Sequence, residues 1–211
     1  MEKERAFRDC SIEWLEDNLG LREVKNLNSL TDWLASKIDI SDYERTSLLR
    51  LQESLAFHFR DWNEQELDTF FIGPIFALVQ FNSEAFNIFA QRKLEGHYEE
   101  WHLYGEPDSM IATGRRSPKI PFFAFQEYKK FRDPKGDPAG QALAAMVIGQ
   151  TLNNNDLPMY GCHVIGSDWY FKTLEGKQFC LSRDYSALTD ELFDIYRILK
   201  SLKQLIQSRM K

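Results

Sequence analysis

The sequence predicts an α/β protein, a mixed central β-sheet flanked by helices and preceded by an N-terminal helical extension. Three observations predict it. The first third carries helix caps followed by apolar residues at helical spacing. From about residue 86 the texture changes to short segments in which Tyr, Trp and Phe alternate with charges, as strands do. One helix rich in small residues, 139–152, then separates two groups of strands, and an amphipathic helix, 187–209, closes the chain. Strands divided by a helical crossover read as a mixed sheet covered by helices.

The elements follow in order. Ser41-Asp42-Tyr43-Glu44 is a capping box, and Leu48, Leu51, Leu55 and Phe59 recur behind it at helical spacing. Asn63-Glu64-Gln65-Glu66 opens a second box, followed by Leu67, Phe70, Phe71, Ile75 and Val79. Gly73 and Pro74 are expected to kink or shorten this second helix. Segments 86–95 and 98–104 read as strands with a turn at Glu95-Gly96. Segments 108–114 and 122–129 read as the next two, joined by the loop Arg115 to Pro121. Asp133 to Pro138 is loop chemistry. In the helix 139–152, Ala142, Ala144, Ala145, Met146 and Ile148 suit close packing on a sheet. Strands at 159–165, 169–174 and 178–182 come next, with turns at Gly166-Ser167-Asp168 and Glu175-Gly176-Lys177. The stripe Leu188, Leu192, Ile195, Leu199, Leu202 and Ile206 either covers the sheet or pairs with a second copy as a homodimer. Residues 1–62 form the extension and 63–211 the core.

Composition bounds the function. Sixteen Phe, eight Tyr and five Trp in 211 residues supply a core and exclude a disordered chain. The longest apolar run, Phe70 to Phe81, falls short of the ~20 residues of a membrane-spanning helix. The opening Met1-Glu2-Lys3-Glu4-Arg5 reads as no signal peptide. Three scattered cysteines without a CxxC pattern suit a reducing cytoplasm. A net charge of −6 argues against non-specific coating of nucleic acid. The charge is uneven: residues 1–70 hold sixteen acids and nine bases, whereas 109–135 hold seven bases and two acids. That basic stretch is either a solvated surface or a face for a polyanion. His58, His97, His102 and His163 lack metal-ligand spacing and read as core or surface. No serine nucleophile elbow and no glycine-rich phosphate loop occurs. Tyr160, Trp169 and Tyr170 read as core aromatics rather than a base-stacking set.

One constellation carries chemistry. If 108–114 and 122–129 pair as a hairpin centred near 117.5, opposed residue numbers sum to 235. Thr113 then faces Phe122, and Asp108 faces Glu127. Directly opposed side chains lie ~5 Å apart at Cβ. Strand alternation puts Lys129 on the face of Glu127 and Tyr128 on the other. Two carboxylates at that distance repel by about 3 kcal/mol at an effective dielectric near 20. A divalent cation with hard oxygen ligands is the simplest compensation. Mg²⁺ (or Mn²⁺) accepts one or two carboxylates and keeps several waters, which suits a phosphodiester substrate. An acid-x-Lys triplet alone says little, since four occur where about two are expected by chance. Only Glu127-Tyr128-Lys129 ends an apolar strand and follows the sole Pro-Asp, Pro107-Asp108.

Pro107-Asp108, Glu127-Tyr128-Lys129 and the helix beginning near Gly140-Gln141 resemble the PD-(D/E)XK nuclease superfamily. Among its branches the chain is most similar to the nuclease domain of type I restriction subunits, over roughly residues 63–200. The resemblance implies a restriction-endonuclease-like core and a Mg²⁺-dependent nuclease that hydrolyses DNA by metal-activated water. It implies Asp108, Glu127 and the Tyr128 carbonyl as metal ligands and Lys129 as the catalytic lysine. It further implies an acid from the first core helix, with Glu66 the first choice and Glu64 the second, and Gln141 as an auxiliary polar residue. Bases within 115–135 would hold the DNA backbone. Glu66 equally reads as a plain capping residue. The alternative is a nuclease-like fold that has lost activity and binds nucleic acid or a protein partner.

Overall fold

The computed structural model describes residues 3–132 and 135–210. Of the loop expected at Asp133 to Pro138, Asp133 and Pro134 lie outside the described residues. The strands are β1 (Lys3–Ala6), β2 (Arg22–Glu23), β3 (Asn87–Ala90), β4 (Leu94–Tyr98), β5 (Trp101–Gly105), β6 (Ser109–Thr113), β7 (Lys119–Lys129), β8 (Met159–Ile165), β9 (Asp168–Glu175) and β10 (Gln178–Ser186). The helices are α1 (Ile12–Leu19), α2 (Asn28–Leu34), α3 (Asp42–His58), α4 (Glu64–Leu67), α5 (Gly73–Val79), α6 (Pro138–Asn153) and α7 (Glu191–Arg209). The main sheet has seven strands in the order β2-β10-β9-β8-β7-β6-β3, and a smaller sheet has the order β1-β5-β4. In the main sheet β7/β8 and β10/β2 pair in parallel and the other neighbours antiparallel, so it is mixed, as expected. The chain needs α6 as the crossover between the parallel neighbours β7 and β8.

Each face of the main sheet has its own core. One packs against α2, α3, α5 and α7 through Trp33, Phe71, Phe76, Trp169, Phe171 and Tyr196. The other receives α6 and α1 and, beyond α6, the small sheet. The α6 stripe is apolar on every side because it lies between two sheets.

Both capping boxes form as the sequence predicts. Glu44 closes the first and also accepts from Tyr196 Oη at 2.7 Å and Lys200 Nζ at 2.9 Å, which ties α3 to α7. Burial pulls the Glu44 carboxyl upward, but these donors outweigh it and hold the pKa at about 2. The C-terminal stripe, Leu192, Ile195, Leu199, Leu202 and Ile206, is buried within the chain itself, so this face is not open to a second copy. Among the described residues no helix is long and apolar enough to cross a membrane.

Three local expectations need correction, and a fourth is refined. Residues 1–62 were expected to be helical, yet they also supply strands to both sheets. β1 pairs with β5, and β2 pairs with β10. The turn expected at Glu95-Gly96 lies at Glu99-Glu100, and β4 runs through Gly96. A Cβ on Gly96 would stand 3.0 Å from Ile148 Cγ2, so this glycine serves a close approach of α6 and not a turn. The interruption expected at Gly73-Pro74 is present, and it takes the form of a change in helical winding. A π turn over Asp68–Ile72 absorbs it and α5 resumes at Gly73. The last helix starts at Glu191 instead of 187, because the Gln52 side chain holds the Ala187 and Thr189 carbonyls outside it.

Candidate active site

The site is built by the β6–β7 ladder. Ser109 pairs with Gln126, Met110 with Phe125 and Ile111 with Ala124, so the numbers sum to 235 and Asp108, one step further out, falls beside Glu127. Beyond Ile111 the register slips, and Thr113 pairs with Lys119, not Phe122. Pro121 has no N–H to give the ladder, and the Asn153 side chain takes both backbone groups of Phe122. The irregularity lies at the far end of the hairpin and leaves the acid pair in register.

The two carboxylates are held by each other's strand. The Tyr128 N–H donates to Asp108 Oδ2 at 2.7 Å, and the Asp108 N–H donates to the Glu127 carboxylate. On the opposite face Ser109 Oγ donates to Gln126 Oε1, so the Tyr128 hydroxyl donates to Ser109 Oγ, at 2.7 Å. Lys129 Nζ donates to Glu127 Oε1 at 2.7 Å and stands 3.9 Å from Glu64 Oε2. Glu127 and Lys129 are both buried, at 7% and 8% exposure.

Electrostatics sets the character of the group. Desolvation and the nearby Asp108 charge raise the Glu127 pKa to about 7, against the pull of Lys129. Burial also raises Asp108. The Tyr128 N–H and Lys129 oppose that rise, while Glu64 and Asp68 add to it. Burial works against the Lys129 ammonium, but Glu127 and then Glu64 and Asp108 hold its pKa above the ordinary value. The carboxylates are short of positive charge, and the lysine stays protonated.

Two clefts meet here, of about 380 and 460 Å³, within the range of ligand sites. Asp108 lines the first with Glu64, Asp68 and Gln91. Glu127 and Lys129 line the second with Gln141, Arg8 and Tyr104. The acid pair therefore sits on the ridge between them. Among the described residues no group of three His, Cys, Asp or Glu is set closely enough to hold a metal ion.

No known family model and no curated protein matches the chain.

The other expected residues divide. Gln141, in the first turn of α6, is buried at the second cleft beside Glu127 and Lys129. Glu66 is not brought to the site. Its carboxylate closes the α4 box on the Asn63 N–H at 2.8 Å. Glu64, the second choice, takes that place. The basic run also divides. Arg115, Arg116 and Lys119 lie at or beyond the start of β7 and Lys129 at its end, about 33 Å away at strand rise. Of the described bases in the run, Lys129, Lys130 and Arg132 follow the site end of β7, and Lys135 precedes Gly136, which lies against the Gln141 amide.

Sequence reasoning missed Asp68, although its i, i+4 spacing from Glu64 carried the signal. It also missed the wall contributed by Ala6, Phe7 and Arg8, which depends on the long-range pairing of β1. Two buried polar side chains behind Glu127 went unread as well. His163 sits opposite Glu127 in the β7–β8 ladder, stacks on Tyr170 at 4.5 Å, and has a buried Nδ1 without a partner. Burial, with Lys172, lowers its pKa to about 2, so it stays neutral. Lys172 is fully buried and donates to the Ala139 carbonyl at 3.0 Å.

Proposed function

We propose that this chain is a Mg²⁺-dependent nuclease of the PD-(D/E)XK kind that hydrolyses DNA phosphodiester bonds. The observation that supports this reading most is the pair of desolvated carboxylates from adjacent strands, with one ammonium beside them, on a ridge between two clefts. A strand of nucleic acid crossing from one cleft to the other would present its backbone to that ridge.

The donor set fits the cation. Mg²⁺ needs only one or two carboxylates and prefers hard oxygen, and the one ammonium here, Lys129 on Glu127, leaves Asp108 without a cation of its own. Asp108 and Glu127 would hold it, with the Tyr128 carbonyl as the third ligand that the resemblance implies. When bound, the ion supplies Lewis acidity toward the scissile phosphate. The chain's own groups do the rest. The Tyr128 N–H fixes the orientation of Asp108. Lys129, anchored on Glu127, can hydrogen-bond an attacking water or a phosphate oxygen as negative charge develops. Glu64 and Asp68 border the first cleft, and Glu64 biases the position of the ammonium. Gln141 supplies an amide to the second cleft.

The test is a panel of labelled single- and double-stranded DNA with Mg²⁺, Mn²⁺ or EDTA. Cleavage with either cation and none in EDTA is expected. No cleavage of any substrate with either cation overturns the reading. The second reading, an inactive nuclease-like binding module, is favoured by one observation: Lys129 already satisfies Glu127 directly. Calorimetric titration with Mn²⁺ separates the two, because only the first requires heat that Glu127→Gln abolishes.

The choice between the helix acids has its own test. Glu66→Ala is expected to cost about 0.5–1 kcal/mol of stability in urea denaturation, through its cap, and to leave cleavage unchanged. Glu64→Gln is expected to keep stability and to lower cleavage about tenfold, the scale of an outer carboxylate that tunes a site. The reverse pattern would return Glu66 to the site.

A further inference from the structure

We infer that the site takes single-stranded nucleic acid, whose bases stack on an aromatic platform beside the acid pair. The platform comes from the end of α3, the loop to α4, the π turn after α4, and the loop after β7. Phe57 meets His58 edge-on with centroids 4.7 Å apart, and His58 lies parallel to Trp62 at 5.3 Å. Trp62 meets Phe70 at 5.7 Å, and Phe59 meets Phe131 at 5.1 Å. Three of these rings face solvent: Phe57 is 81% exposed, Phe70 51% and Phe131 40%.

Nothing in the fold requires large rings to remain in water there, and isolated exposed aromatics would not be contiguous. Both ends of the platform run into the site. Trp62 is two residues before Glu64, whose carboxylate reaches Lys129. Phe131 is two residues after Lys129 and is seated on the β8–β9 turn, where a Cβ on Gly166 would stand 2.8 Å from Phe131 Cβ. Cations interleave the rings. Arg60 lies 5.1 Å from the Phe59 ring, and Lys130 and Arg132 bracket Phe131. Four acids lie in the same segments: Glu64 faces Lys129 and Glu66 closes its own cap, which leaves Asp61 and Asp68 against Arg60, Lys130 and Arg132.

Aromatic faces with interleaved cations are what an unpaired strand recognises: each base offers a π face and each phosphate a charge. A duplex hides its base faces inside the stack. An apolar protein partner would use the rings but not Arg60 over Phe59 or the two bases adjoining Phe131. The inference rests on the proposed nuclease reading for its consequence in cleavage, but binding can be measured apart from it.

The experiment is fluorescence anisotropy in EDTA with 20-nucleotide oligothymidylate, oligouridylate and a DNA duplex of equal length. Wild type is compared with Phe57→Ala/Phe70→Ala, two exposed positions, with folding checked by circular dichroism. The variant is expected to bind a single strand about tenfold more weakly, with duplex binding unchanged. Its salt dependence should match wild type, whereas Arg60→Ala/Arg132→Ala should flatten that slope. Equal single-strand affinity of the aromatic variant and wild type overturns the inference, even where metal-dependent cleavage is found. Ring-dependent binding by a chain that never cleaves would instead defeat the nuclease reading and leave the platform standing.

Discussion

Lys129→Ala is expected to lower cleavage about 10³-fold while the chain stays folded, the scale of removing one group that stabilises charge in a transition state. The side chain ends 2.7 Å from Glu127 and 3.9 Å from Glu64, where on the proposed reading an ammonium would meet both the attacking water and the phosphate. Removing it also leaves Glu127 without its cation. Glu127 has a pKa near 7 even with that cation present. Without it the carboxyl takes a proton and the site becomes neutral, so the fold escapes an unpaired buried charge. Asp108→Asn is the companion. An amide oxygen still accepts from the Tyr128 N–H, so the strand ends stay joined, but the negative charge is gone. It is expected to lose cleavage to the same order. Initial rates, with circular dichroism on each variant, check both. Wild-type rates in either variant would remove that residue from the proposed mechanism.

Lys172→Met is expected to stabilise the protein by about 1–4 kcal/mol at pH 6, and by much less near pH 10. Lys172 is fully buried in β9, and its one hydrogen bond is to the Ala139 carbonyl. Burial lowers its pKa to about 7, although Cys162, Asp137 and Glu127 pull it back up, and it faces neutral His163. The sign follows from linkage. Between about 7 and the ordinary value of 10.5 the unfolded chain holds a proton that the folded chain lacks, so stability rises with pH across that window. Below about 7 the folded chain carries the full penalty of a buried ammonium. Methionine has similar length and no charge, so its advantage is largest at low pH. Urea denaturation at pH 6 and pH 10 measures it. A variant less stable than wild type at pH 6 would show that the buried ammonium is net stabilising.

Much of this was legible because it is local. Ser41-x-x-Glu44 and Asn63-x-x-Glu66 cap helices through groups three residues apart, and both form. The hairpin sum of 235 placed Asp108 beside Glu127 because the pairing stays regular from Ile111–Ala124 to Ser109–Gln126. It failed toward the tip, where Pro121 and a distant Asn153 side chain change the hydrogen bonding. β1 was illegible: three of its four residues are charged, and only β5, nearly a hundred residues on, makes it a strand. Gly96 misled for a related reason, since the helix pressing on it is some fifty residues away. Glu66 and Glu64 differ by two positions on one turn. The cap that Glu66 closes is what carries it away from Lys129.

The seating of α6 has a consequence for how the molecule can flex. A Cβ on Gly149 would stand 2.3 Å from the Phe125 ring, and one on Gly140 2.5 Å from the Cys10 carbonyl. This helix is wedged without slack between two sheets, and it carries Gln141 with it. The wall of the second cleft that carries Gln141 is thus tightly seated once the chain has folded. The first cleft is bordered instead by the short helical turn bearing Glu64 and Asp68, which, among the described residues, has no such wedge behind it in the small sheet.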